Sequence, residues 1–185
     1  SRGLGDVYKR QAMRQQERLR LSSAEPMEHD SLERHLIWLD GEIEAIEKAC
    51  HAHVRENAEL NEQSTRLRSI PGVGPVTAFT LMAHMPELGG SSSKAMAALA
   101  GLAPFNADSG IKRGQRHIRG GRKRVRDALY MAALVAYRLK TAFARTAQTM
   151  QTKGKPFKVM IIAIARKILV AANAILRDKT VFAKT

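Results

Sequence analysis

Apolar positions along the first half of the chain keep a helical rhythm. Leu32, Leu36, Leu39, Ile43, Ile46, Cys50, His53/Val54, Asn57, Leu60, Ser64 and Leu67 follow one another at alternating steps of four and three, which is a heptad pattern. It predicts one helix of about 35 residues, roughly 50 Å long at 1.5 Å per residue. Asp30 or Ser31 can cap its start, and Glu33 and Glu42 to Glu47 suit an N-terminal half. The outward positions are polar, so a coiled coil or antiparallel helical arm fits better than one helix of a compact bundle. Asn57 and Ser64 weaken the seam and can set its register.

The pattern then changes. Pro71 ends the long helix near Ile70. Gly72 and Gly74 permit a tight turn with positive φ, and Pro75 suits the first turn of a new helix to about His84. Such a turn resembles a helix-hairpin-helix connection, whose glycines let backbone amides approach a phosphate. A purely structural corner between helices is the alternative. Met85 to Gly90 reads as a loop. Ser91 or Ser92 caps a short helix through Lys94, Met96 and Leu99, which Gly101 ends. Leu102 to Ile111 is a second loop. Helix resumes near Arg122, with Val125, Leu129, Met131, Ala132, Leu134, Val135 and Leu139 as its apolar side, and continues to Lys153-Gly-Lys-Pro156. From Pro156 to about Asp178 the chain is apolar or small almost all round, as in the central helix of a bundle. No alternating strand pattern and no internal repeat is visible. The fold expected is all-α: a long N-terminal coiled-coil-like arm, then a compact helical domain containing the hairpin turn.

Ser1 to Gln11 shows no clear period and resembles a translated adapter scar. It is therefore read as a non-native leader, which makes the chain an expected truncated gene product. The arm then covers 12–68 and the second domain 69–185, with its turn at 70–75.

Charge sharpens this division. The 185 residues carry 31 Lys/Arg and 17 Asp/Glu, a net +14. Residues 1–62 hold 9 basic and 13 acidic side chains, whereas residues 63–185 hold 22 and 4. The first part is a spacer or partner helix. The second reads as a nucleic-acid surface, since a polyanion is the common partner of such crowded positive charge. Lys112, Arg113, Arg116, Arg119, Arg122, Lys123, Arg124 and Arg126 form an acid-free run broken at first by Gly114, Gly120 and Gly121, suited to following a phosphate backbone. With Gly72 and Gly74 these eight are the candidate DNA-binding residues.

Other chemistries are poorly supported. One cysteine, Cys50, precludes an intrachain disulfide and a Cys-rich zinc site. Cys50 and His53 are too badly spaced on a helix to share a metal with His51. No nucleotide-binding Lys-Ser/Thr ending follows either Gly-rich turn. The few acids beyond Asn61 make a two-metal carboxylate site unlikely within this chain. No uninterrupted run of 18 apolar residues and no secretory signal is present, so no membrane partner is expected and the location read is cytoplasmic and nucleoid-associated. Ser109-Gly110 stands directly before the basic run. Asp-Ser-Gly is an everyday turn. The same serine is also a candidate nucleophile, with Arg113 and Arg116 able to neutralise a phosphorane.

Seven landmarks bear on that choice. They are Ile70-Pro-Gly-Val-Gly-Pro75, Ala100-Gly-Leu-Ala-Pro104, Ser109-Gly110, His117-Ile-Arg-Gly-Gly-Arg122, Arg126-Asp-Ala-Leu-Tyr-Met-Ala-Ala133, Gly154-Lys-Pro156 and Arg166-Lys-Ile-Leu169. In this order over about 115 residues they resemble the C-terminal transposase domain of the DEDD-type bacterial insertion-sequence recombinases, the "IS-one-ten" family. The resemblance implies that Ser109 forms a covalent link to DNA. It implies an N-terminal RNase H-like domain, missing here, whose four acids bind Mg²⁺, and no cofactor in this part. It also implies a coiled-coil segment between the domains, assembly into a homo-oligomer, and a structured guide RNA as partner beside DNA. Arg126 matches the family's recurring arginine, which contacts phosphate or the serine loop. The stretch Arg119 to Lys123 varies in the family and is given no catalytic role. The expected activity is that of a DNA transposase or recombinase, inactive without the acidic domain. The alternatives are a non-catalytic helix-hairpin-helix module that binds nucleic acid and, more remotely, a structural RNA-binding protein.

Overall fold

The computed structural model describes residues 2–105, 117–118 and 120–183. These form eight helices: α1 (Arg2–Leu21), α2 (Pro26–Glu56), α3 (Ala58–Arg68), α4 (Pro75–His84), α5 (Ser93–Leu99), α6 (Lys123–Arg138), α7 (Ala144–Thr152) and α8 (Phe157–Asp178). The all-α class stands. One short exception was not foreseen: β1 (Pro104–Phe105) pairs antiparallel with β2 (His117–Ile118). The chain divides into two units, 1–61 and 62–185.

The first unit is an antiparallel helical hairpin. Its direction can be read from its ion pairs, because partners on α1 ascend while those on α2 descend: Arg10 with Glu42 at 3.2 Å, Arg14 with Asp40 at 2.7 Å, and Glu17 with His35 at 3.3 Å. The heptad positions Leu32, Leu39 and Ile43 are buried against this partner, as is Val7 of α1. Helix thus begins at Arg2, within the segment whose sequence showed no period. The seam of α1 is mostly charged, so a search for apolar spacing passes over it.

Two boundaries on the α2 side differ from expectation. Helix starts at Pro26, with Glu25 before it, rather than at Asp30 or Ser31; proline's fixed φ suits the first helical position. The expected unbroken helix to Leu67 stops at Glu56. Asn57 is extended there, and its Oδ1 accepts the Leu60 amide at 3.1 Å, capping α3.

In the second unit α8 is the central element. Met160, Ile161, Ile164, Ala165, Ile168, Leu169, Ala172 and Ile175 are buried among α5, α6 and α7. α8 is also long and apolar enough to cross a membrane by length and composition, with half of its most apolar window buried in this unit. Ser64 and Leu67 of α3 are buried, and Leu67 belongs to the second core, so the division falls before Glu62 rather than at Ser69. Asn173 of α8, fully buried, accepts the Gly89 amide at 2.8 Å and donates to the Ser91 carbonyl at 2.9 Å. That pins the loop between α4 and α5. The Ser69 hydroxyl accepts the Phe182 amide at 2.8 Å, which returns the tail to the turn before α4.

The single helix expected from Arg122 to Lys153 is two. α6 ends at Arg138, Lys140 takes a positive φ of 47°, and Thr141 caps back onto the Ala136 carbonyl. The bend places Phe143 in the core beside Phe182, with ring centres 5.8 Å apart. Of the apolar side expected for α6, Val125, Leu129 and Ala132 are buried, but the buried face is rotated toward alanines. Its inward side is small: Val125, Ala128, Leu129, Ala132, Ala133 and Ala136. Met131, Val135 and Leu139 are exposed. Small residues are required because Gly72 sits directly on α6. A Cβ there would meet the Ala132 carbonyl oxygen at 2.3 Å.

Candidate nucleic-acid interface

The turn before α4 uses its glycines unequally. Gly72 has φ +89° and is packed against α6. Gly74 is extended, with φ −89°, and caps α4, so the positive φ expected of it is absent. Both line a shallow cavity of about 410 Å³ with Val73, Thr77, Met131 and Val135, and no cation lines it. Gly72 therefore serves helix packing and Gly74 the start of α4, where a Cβ would find open space, and the turn's immediate surroundings are apolar.

The basic run lies elsewhere. Ser109, Lys112, Arg113, Arg116 and Arg119 fall outside the described residues. The positions flanking 106–116 are described, and they adjoin each other: Pro104 pairs with Ile118 and Phe105 with His117. Immediately behind this pairing two backbones cross. Gly101, at φ +68°, would place a Cβ 2.2 Å from the Gly120 carbonyl oxygen. Gly121, at φ +67°, would place one 2.3 Å from the Gly101 nitrogen. Only hydrogen fits at either position, and only glycine takes this conformation without strain. The Arg122 amide completes the crossing by donating to the Leu99 carbonyl at 2.8 Å.

Two arginines of the run tie this crossing to the rest of the unit. Arg126 donates from Nη1 to the Gly120 carbonyl, so its guanidinium reaches the returning strand of the 106–116 segment. Arg122 forms a two-pronged pair with Glu87, both contacts at 2.6 Å, and also donates to the His84 carbonyl at 2.8 Å. Such fork-to-carboxylate geometry is strong and directional. Hydrogen bonds from Arg122 push the Glu87 carboxyl down to about 2. Arg122 is thus engaged in anchoring the α4–α5 loop. Lys123 pairs with Asp127 one turn along α6 at 2.5 Å and is exposed, and Arg124 is exposed beside it.

His84 lies beneath this cluster. Burial, reinforced by the charges of Arg124 and Arg122, holds its ring below the ordinary histidine value. Its Nε2 is buried without a hydrogen-bond partner among the described residues. Sequence reasoning missed His84, Glu87 and the crossing's close contact. The only local signal was the glycine content of the two landmarks.

Burial pushes the Cys50 thiol up, which disfavours the thiolate that metal binding needs. Among the described residues no three His, Cys, Asp or Glu side chains gather where they could hold a metal. The Mg²⁺ that the resemblance implies belongs to the acidic N-terminal domain, and none of these side chains is assigned to it.

Comparison with known proteins bears on what these elements serve. The family model for "Transposase IS116/IS110/IS902 family" matches residues 64–148, which include the turn, the glycine crossing and α6. A pilin gene-inverting protein of Moraxella bovis is 38% identical over 131 residues, 68% of this chain and 40% of that protein. An insertion element IS110 protein of 43.6 kDa from Streptomyces coelicolor is 28% identical over 137 residues, 73% of this chain and 34% of that protein. An insertion element IS900 protein of 42 kDa from Mycobacterium paratuberculosis is 29% identical over 161 residues, 82% and 38% respectively. The chain spans about two fifths of the length of the curated relatives it matches. With the family's landmarks in order, and the crossing they build in place, the chain belongs to the IS116/IS110/IS902 transposase family.

Proposed function

We propose that this chain is the DNA-binding, serine-bearing part of a recombinase that cuts and rejoins DNA. The observation that carries the reading is the glycine crossing with its β1–β2 pairing. It fixes both ends of the segment that holds Ser109, Lys112, Arg113 and Arg116. A nucleophile needs a defined position relative to the charges that stabilise its transition state, and the described residues on either side of that segment are held together.

In the proposed step the Ser109 hydroxyl oxygen bonds to a DNA phosphorus. Its proton passes to a base, and the bond from phosphorus to one deoxyribose oxygen breaks, that oxygen taking up a proton. The reverse reaction on a new strand end releases the serine and rejoins the DNA. Arg126 holds the returning strand, while Lys123 and Arg124 contribute to phosphate binding. An RNase H-like acidic domain supplies Mg²⁺ from a segment that this chain does not contain. A structured guide RNA and assembly through the helical arm belong to the same proposal, as does action in the bacterial cytoplasm at the nucleoid.

The test is Ser109→Ala in a full-length protein with both domains. Strand exchange is expected to vanish while DNA affinity changes less than about twofold, and a covalent protein–DNA adduct seen with the wild type is expected to disappear. Recombination retained by the variant overturns the role of Ser109. Salt-dependent binding without an adduct in the wild type would instead indicate a non-catalytic nucleic-acid-binding module.

A further inference from the structure

A second cationic surface lies on the second unit, built from residues that follow Arg126 in sequence. Residues 128–177 contain no Asp or Glu and nine Lys/Arg. Within this stretch the bend after α6, α7 and α8 enclose an open groove of about 740 Å³. Its lining includes Arg145, Lys167, Thr141, Thr146 and Thr149, and no carboxylate. Lys167 donates to the Thr146 hydroxyl at 2.7 Å. That contact uses one of the ammonium's three donors and holds the charge across the groove from α8 to α7. Arg145 is exposed, and the Thr149 hydroxyl donates to its backbone carbonyl, leaving the guanidinium out of that bond.

We infer that the α7–α8 groove, through Arg145 and Lys167, binds the phosphate backbone of duplex DNA as a second contact surface. The inference rests on the reading that the chain works on DNA. Cations and threonine hydroxyls are the groups that contact phosphate and sugar. No aromatic side chain lines the groove, so it lacks the stacking platform that single strands favour. The absence of acids over fifty residues is not needed for solubility, which tolerates mixed signs, and it concentrates positive potential on this side of α8.

The test measures binding of the 185-residue chain to a labelled random-sequence duplex by fluorescence anisotropy, from 50 to 200 mM salt. On duplex DNA each neutralised phosphate adds about 0.9 to the log–log salt slope. Arg145→Gln is expected to reduce the slope by about 0.9, and Arg145→Gln with Lys167→Gln by about 1.8. Over that fourfold salt range the double variant's affinity then falls about twelvefold less than the wild type's. Lys167 also contacts Thr146, so the single Arg145 variant carries the test if the double variant melts early. An unchanged slope in a folded variant overturns the groove and leaves DNA binding through the 112–126 run intact. No salt-dependent duplex binding by the wild type overturns both. Loss of affinity for a hairpin RNA with duplex binding unaltered overturns the DNA assignment. Lys123→Gln with Arg124→Gln tests the first surface separately, and a slope that falls only in the groove variants upholds this inference while removing those two residues from the proposed interface.

Discussion

Gly120 and Gly121 are neighbours with nearly equal positive φ, +69° and +67°, yet a side chain would meet different surroundings at each. Beside Gly120 a Cβ finds nothing within 4 Å. At Gly121 it would lie 2.3 Å from the Gly101 nitrogen, 2.6 Å from the Gly101 Cα and 2.8 Å from the Leu99 carbonyl oxygen. All three are backbone atoms, so no rotamer relieves the overlap. Alanine in a left-handed conformation costs about 1–2 kcal/mol. Gly120→Ala should therefore destabilise by about that amount. Gly121→Ala adds overpacking of about 1–3 kcal/mol, and it presses on the carbonyl that accepts the Arg122 amide. For a unit of this size about 1 kcal/mol shifts Tm by roughly 3–5 °C. The extra loss in Gly121→Ala is then roughly 3–15 °C. Differential scanning calorimetry measures this directly. Equal losses in the two variants would refute the close crossing, and with it the account of how the residues flanking 106–116 are held together.

Two further perturbations probe what positions this site. Asn173→Ala removes both bonds that tie α8 to Gly89 and Ser91, and should cost about 2 kcal/mol in urea denaturation because the two backbone groups lose their partner; a loss under about 0.5 kcal/mol contradicts the clamp. Glu87→Gln tests the anchor of Arg122. The folded carboxyl sits near 2, against an ordinary 4.5. A depressed folded value contributes stability above the unfolded value and loses it as pH falls from about 4.5 toward 2. Wild-type Tm should drop over that window more steeply than that of the glutamine variant, and parallel curves would remove the ion pair from the account.

Much of the scaffold was legible because its signals are local. Pro75 and Pro156 start α4 and α8 near where they were read, Ser92 caps α5, and the four-three rhythm marks the buried face of α2. What escaped depends on partners distant in sequence. The seam of α1 is mostly charged, so its packing shows in its ion pairs with α2 and in Val7 rather than in an apolar stripe. The bend at Lys140 has neither glycine nor proline; burial of Phe143 beside Phe182 imposes it. Met131, Val135 and Leu139 satisfied apolar spacing but lost the core to alanines, because Gly72 requires a thin helix face. At the site, clustering of charge was visible, but the division of labour inside it was not. Arg122 meets a carboxylate 35 positions away, and no window along the chain contains that pairing.

That division changes what the net charge means. Each acid described in the second unit pairs within that unit: Glu62 with Arg66, Glu87 with Arg122, Asp127 with Lys123, and Asp178 with Arg177. The carboxylates are consumed locally, so the remaining cations, including Arg145 and Lys167, act together over distances comparable to the Debye length of about 8 Å at physiological salt. Exposed ion pairs contribute little stability of their own, so stability does not explain why this unit keeps so few acids. The proposed contact with a phosphate backbone would account for it, because each cation it covers would release a bound counterion and convert self-repulsion into affinity. The same argument sets apart arginines of different use. Arg122 and Arg126 bond to Glu87 and Gly120, and their loss should disturb the scaffold. Arg145 projects from a face without acids, and its loss should register in the salt slope while leaving Tm almost unchanged.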